Sequence, residues 1–182
     1  YVFYQLLKHI REQDKPTELF NKTLGVIGFG AVGKTVANIA KGFGMKVLYN
    51  NIEKVETFAK FKNKEDLIQE SDIITLHTPQ NVKVLDKNDF NLITEGKILV
   101  NITLGAAYED NDFLEWINKN ENVVIMDACP STSHDHKNII YSNKVAARTF
   151  EAKKRLGDKT IKNIKNYLIK KNIRGTIILA SE

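Results

Sequence analysis

Apolar and polar positions along this chain fall into short blocks that switch between two periods. Thr23–Ile27, Lys46–Tyr49, Asp72–His77, Lys97–Asn101, Val123–Met126 and Asn138–Tyr141 are brief runs dominated by Leu, Ile and Val, and Thr57–Phe61 is a weaker one. Short, nearly continuous apolar runs predict strands covered on both faces, as parallel strands are. Between them, apolar residues recur at three- and four-residue spacing, the signature of amphipathic helices. Tyr1 to about Arg11 predicts a helix through Val2, Phe3, Leu6, Leu7 and Ile10, and Asp14-Lys15-Pro16 breaks it. Further helices are predicted at Ala31–Lys41, at Glu65–Glu70, after Asp86 as N-cap, and at Glu109–Lys119, where Phe113, Leu114 and Ile117 share a face. A long basic helix closes the pattern. Strands alternating with helices imply a doubly wound, mostly parallel α/β sheet with helices on both faces. There is no internal repeat and no low-complexity linker, so residues 1–182 are expected to form a single domain.

The first strand runs into Gly28-Phe29-Gly30-Ala31-Val32-Gly33, and a helical pattern follows at once. Each glycine has a physical job in that setting. Gly28 allows a tight turn out of the strand, Gly30 lets the backbone approach a diphosphate, and Gly33 lets the helix lie close on the sheet. The free N–H groups and positive dipole end of the helix then face the phosphates. A bare glycine pattern is weak, because such turns also serve structure alone. The strand before it, the helix after it and a second strand ending near Asn50 make it a dinucleotide turn. At about 20 residues past such a motif an Asp or Glu normally holds the adenosine ribose of NAD. Asn50 and Asn51 stand there instead. An Asn hydrogen-bonds a hydroxyl but does not repel a 2′-phosphate, and Lys54 follows. NAD is the expected cofactor and NADP the alternative.

Composition narrows the setting. The chain of 182 residues is long enough for a substantial core, and its single cysteine, Cys129, excludes an internal disulfide, which suits a reducing compartment. No run of about 18 apolar residues and no signal peptide is seen, so a cytoplasmic protein without membrane association is expected. An opening Tyr1 rather than Met reads as a fragment or a processed chain. The net charge of +5 is concentrated between Phe150 and Arg174, which hold nine cations against Glu151 and Asp158. Ala152, Leu156, Ile161, Ile164 and Leu168 recur there at helical spacing. One face is therefore expected to pack inward with cations covering the other, and nucleic-acid binding is not expected.

Asn21-Lys22-Thr23-Leu24-Gly25-Val26-Ile27 leading into the glycine turn resembles the nucleotide-binding domain of the D-isomer-specific 2-hydroxyacid dehydrogenases. Gly42-Phe43-Gly44-Met45-Lys46-Val47, Ser71-Asp72-Ile73-Ile74-Thr75-Leu76-His77-Thr78-Pro79, Gly96-Lys97-Ile98-Leu99-Val100-Asn101 and Glu151-Ala152 continue the resemblance in order. It implies a seven-stranded Rossmann-like domain, flanked in intact members by a smaller substrate domain built from both chain ends. Here only Gly175–Glu182 is a candidate remnant. The resemblance further implies that Gly30, Ala31 and Val32 lie along the pyrophosphate and Asn51 by the adenosine ribose. Thr78 and Pro79 would pass the adenine, and Thr103, Leu104 and Asp127 would lie toward the nicotinamide. Family members commonly pair through long helices of this domain, which implies a homodimer with Tyr1–Ile10 and Ala31–Ala40 as candidate faces.

The family reaction needs a cation for the substrate carboxylate and a base for the hydroxyl proton, with an acid that raises the pKa of that base. Where the family has Arg this chain has Leu104, which has no donor. Where it has His the chain has Lys144, and the Glu falls near Thr132. Lys144 is the one weak catalytic candidate, and it would need a pKa far below about 10.4 to act as a base. His134-Asp135-His136 offers too few ligands for a metal site, so no metal is expected. His77 reads as structural and Cys129 as an inert thiol. Three functions remain: a nucleotide-binding domain without the family's chemistry, an oxidoreductase with altered chemistry completed by a further domain, or an NAD-responsive interaction module.

Overall fold

The computed structural model describes residues 1–119, 122–127, 136–141, 146–147 and 149–170. Its elements run α1 (Val2–Arg11), β1 (Thr23–Ile27), α2 (Ala31–Gly42), β2 (Lys46–Asn50), β3 (Lys60–Phe61), α3 (Lys64–Glu70) and β4 (Ile73–Leu76). Then come α4 (Lys87–Leu92), β5 (Ile98–Asn101), α5 (Asp110–Lys119), β6 (Val123–Met126), β7 (Ile139–Tyr141) and α6 (Phe150–Lys170). Contacts divide the chain into two units, Tyr1–Asn143 and Lys144–Glu182.

The first unit is built on one seven-stranded sheet in the order β3-β2-β1-β4-β5-β6-β7. Every pairing is parallel, so the expected "mostly parallel" sheet is wholly so. β1 lies third in that order, with Val26 opposite Tyr49 on one side and Thr75 on the other. Strand order reverses there, and the gap beyond the strand ends is where doubly wound sheets hold ligands.

Both faces are covered, which is why the strands read as continuous apolar runs. On one face Leu24, Val26, Ile73, Val100 and Ile125 join Phe3, Leu6 and Ile10 of α1 and Val36, Ala37 and Ala40 of α2. On the other, Ile27, Ile74, Leu76, Leu99 and Val124 join Leu67, Phe90, Phe113 and Trp116 from α3, α4 and α5. Each fully buried aliphatic or aromatic residue is worth about 1.5–3 kcal/mol. Surface ion pairs such as Lys83–Glu109 and Lys87–Glu115 are screened by solvent, so packing carries the fold.

Polar groups set the helix ends. Asp86 caps α4 by accepting from the N–H groups of Asn88 and Asp89, and the Asp89 carboxylate accepts from Asp86 N–H at 2.9 Å. Asp89, buried, also takes Lys64 at 2.6 Å. At the other end of α3, Lys97 Nζ donates to the carbonyls of Ile68, Gln69 and Ser71 at 2.7, 2.7 and 2.8 Å. These carbonyls have no partner within the helix. Lys97→Met keeps the apolar stem and removes the cap, so urea denaturation should show a loss of about 1–2 kcal/mol.

Two expectations differ from the structure. The third strand spans only Lys60–Phe61, since only Leu48 and Tyr49 of β2 give it partners. Of the five residues expected to line the inward face of the basic helix, Ala152, Ile161 and Leu168 are half-buried, while Leu156 and Ile164 are 67% and 46% exposed. Helical spacing shows that a face is apolar and says nothing of what covers it.

Candidate functional site

The chain leaves β1 at Gly28 with φ of +91°, the left-handed region that glycine enters without strain. A Cβ there would come within 2.5 Å of the His77 carbonyl oxygen, so the turn lies flat against the end of β4. A Cβ on Gly33 would be driven into the Gly28 carbonyl oxygen, which fixes how closely α2 approaches the strand. Gly30 differs: nothing lies within 4 Å of the place its Cβ would take. It is the N-cap of α2, with no side chain capping the helix's first N–H groups. Ala31 and Val32 are exposed beside it. Tight packing at two glycines and open space at the third is the shape a diphosphate needs.

The turn is held from β2. Gly28 N–H donates to the Asn50 carbonyl at 3.0 Å, and Phe29 N–H to the Asn51 side-chain oxygen at 3.1 Å. Asn51 Nδ2 donates to the Glu53 carbonyl at 3.1 Å. Asn51, expected only as a ribose partner, thus also braces the glycine turn. Spacing along the chain does not reveal this, because the bond spans two crossover ends.

At the end of β4, His77 Nε2 and Thr75 Oγ1 are 2.9 Å apart, as period-two spacing on one strand face allows. Burial pushes the His77 imidazole down to about 4, so it is neutral at pH 7. His77 Nδ1 and Thr78 Oγ1 are buried atoms without a hydrogen-bond partner. Such atoms cost about 1–3 kcal/mol each when left unmet. His77 was expected to be structural rather than catalytic; its buried nitrogen without a partner adds to that picture. A His-Thr pair closing a strand at the reversal point is the signal that would have marked it.

The remaining expected site residues follow along the strand ends. Pro79 is exposed at the turn to Asn81, whose N–H donates to the Leu104 carbonyl at 3.2 Å. Thr103 N–H and Oγ1 both donate to Asn101 Oδ1, at 3.1 and 2.7 Å. Leu104 is 63% exposed. Asp127, buried, follows β6, and its N–H donates to the Asn101 carbonyl at 3.3 Å. The structure thus brings Gly28–Gly33, Asn51, Thr78, Pro79, Thr103, Leu104 and Asp127 to one edge of the sheet. Lys144, Thr132, Cys129, His134, Asp135 and Gly175–Glu182 lie outside the described residues. Among the described residues no group of His, Cys, Asp and Glu is placed to hold a metal, and no helix is long and apolar enough to cross a membrane. A cavity of about 350 Å³ between α4 and α5 is lined by Phe90 and Trp116 and by charges of both signs, and it takes no residue from the strand ends.

Comparison with known proteins decides the family. The profile of the D-isomer specific 2-hydroxyacid dehydrogenase NAD binding domain matches residues 5–149. The chain belongs to that family. As an NAD-binding domain of this family, it is 28% identical over 162 residues to a glyoxylate reductase of Thermococcus litoralis, covering 80% of this chain and 49% of that protein. It is 37% identical over 123 residues to an erythronate-4-phosphate dehydrogenase of Bacteroides thetaiotaomicron, covering 63% of this chain and 34% of the relative. The fold matches that of an NAD+-bound 3-phosphoglycerate dehydrogenase of Entamoeba histolytica, with a TM-score of 0.82 at 21% identity over 97% of this chain and 62% of that one. The 2-hydroxyacid dehydrogenase domain described here spans about half the length of the first of these relatives.

Proposed function

We propose that this domain binds NAD with the pyrophosphate over Gly30, Ala31 and Val32, and that it does so without the family's own chemistry at the substrate end. The observation that carries the first half is the space at Gly30, at the uncapped start of α2, between two glycines packed against backbone. Amide N–H groups there meet an anion without a side chain in the way. Thr78 and Pro79 would pass the adenine, and Thr103, Leu104 and Asp127 would border the nicotinamide. The unmet atoms of His77 and Thr78 fit a polar ligand at the reversal point. Bound NAD supplies a carbon that takes up hydride.

The second half rests on Leu104. Its exposed side chain stands where the family carries an Arg for the substrate carboxylate, and a leucine offers that anion no hydrogen bond. Titration calorimetry with NAD+ should give a dissociation constant near the micromolar range, about 8 kcal/mol, while a panel of 2-hydroxy and 2-keto acids should show no turnover. Absence of heat at millimolar NAD+ would sink the nucleotide reading.

A second reading is favoured by the buried Asp127 at the nicotinamide end: an oxidoreductase of altered chemistry, completed by a substrate domain elsewhere in a longer protein. Turnover that vanishes in Lys144→Ala would establish it. A third reading is an NAD-responsive interaction module. Tyr4 of α1 and Val32 and Ile39 of α2 are 66%, 55% and 45% exposed, which supports a homodimer through these helices. Sedimentation with and without NAD+ tests it. A cytoplasmic location accords with these readings, and residues 1–182 are read as one dinucleotide-binding domain.

A further inference from the structure

We propose that this domain accepts NADP about as well as NAD, because Asn51 turns a donor toward the adenosine ribose where a carboxylate would turn acceptors. The inference rests on the dinucleotide reading of the glycine turn and concerns only its ribose end.

The orientation of the Asn51 amide follows from its partners. Phe29 N–H requires an oxygen, and it meets Asn51 Oδ1 at 3.1 Å. The nitrogen therefore lies on the other side, where one of its hydrogens goes to the Glu53 carbonyl at 3.1 Å. An amide nitrogen carries two hydrogens, so one N–H remains for the ligand. A carboxylate at this place accepts from ribose hydroxyls and repels a 2′-phosphate. The amide does neither: its N–H donates to a hydroxyl oxygen or to a phosphate oxygen.

Charge around Asn51 is mixed. Lys54 brings a cation to the same crossover, 4.7 Å from the centroid of the Phe61 ring. Glu53 and Glu56 are exposed on that crossover as well. One lysine among two carboxylates gives no strong attraction for a dianion, and the neutral Asn51 gives no repulsion. Tolerance of both cofactors follows, without selection for the phosphorylated one.

The test is calorimetric titration of the 182-residue chain with NAD+ and with NADP+ at matched ionic strength. The two dissociation constants are expected to agree within tenfold. In Asn51→Asp, which keeps the acceptor for Phe29 N–H, the ratio is expected to move at least tenfold toward NAD+. A wild-type preference for either nucleotide of more than tenfold overturns the proposal, as does a smaller change in the Asp variant. If that variant fails to fold, the wild-type ratio decides alone. Binding of NAD+ without NADP+ removes this inference and leaves the dinucleotide reading standing, whereas binding of neither removes both.

Discussion

Gly33→Ala is expected to destabilise the fold by about 3 kcal/mol, at the upper end of what overpacking costs, and to weaken NAD+ binding at least tenfold. The new methyl meets the Gly28 carbonyl oxygen, a backbone atom with no rotamer to change. Gly28 cannot retreat, because its N–H is bound to Asn50 and its other side lies against the His77 carbonyl. The strain therefore moves α2, whose first amides form the proposed anion site. Gly30→Ala is the contrasting variant. Its methyl enters open space at φ −77°, which alanine adopts freely, so the loss of stability should stay below about 1 kcal/mol. Nucleotide affinity should nevertheless fall, since the methyl fills the approach to the backbone. Urea denaturation and calorimetry on both variants separate a structural glycine from a binding one. Equal loss of stability in the two would refute the assignment.

Acid should act on this protein through His77. Its imidazole titrates at about 4 in the folded chain because burial disfavours the cation, against about 6.5 when unfolded. Above pH 6.5 both states hold it neutral, and the stabilisation is complete. Between 6.5 and 4 the unfolded chain takes up a proton that the folded chain refuses, so stability falls with pH. The loss across that window is on the order of 3 kcal/mol, taking 1.36 kcal/mol per unit. In His77→Gln this part of the acid slope should vanish, leaving the share of His9, whose pKa burial also lowers, and that of the carboxylates. Ring-proton NMR showing His77 titrating near 6.5 in the native state would disprove the mechanism.

Much of this architecture was legible in the residues, and the parts that were not have identifiable causes. β1 and β6 coincide with their apolar runs, since a strand buried on both faces has no polar position to blur its ends. β3 was overestimated because it lies at the sheet edge, where two partners on β2 and not composition set its length. The capping role of Asp86 was readable because capping is local. The brace from Asn51 to Phe29 and the unmet nitrogen of His77 were not, since each arises where separate crossovers meet. Likewise the apolar stripe on α6 is plain at the level of spacing, yet Leu156 and Ile164 are exposed. The tight turn at Gly28 and the close approach at Gly33 were legible because each depends on missing atoms, which a sequence displays directly.

The double anchoring of the turn has a thermodynamic corollary. With the amides of Gly28 and Phe29 already bonded to Asn50 and Asn51, the loop's conformational entropy is surrendered during folding and not at the moment of association. Ligand capture should then proceed as docking onto a rigid rim, with fast on-rates and slow hydrogen exchange at these two amides even before any nucleotide arrives.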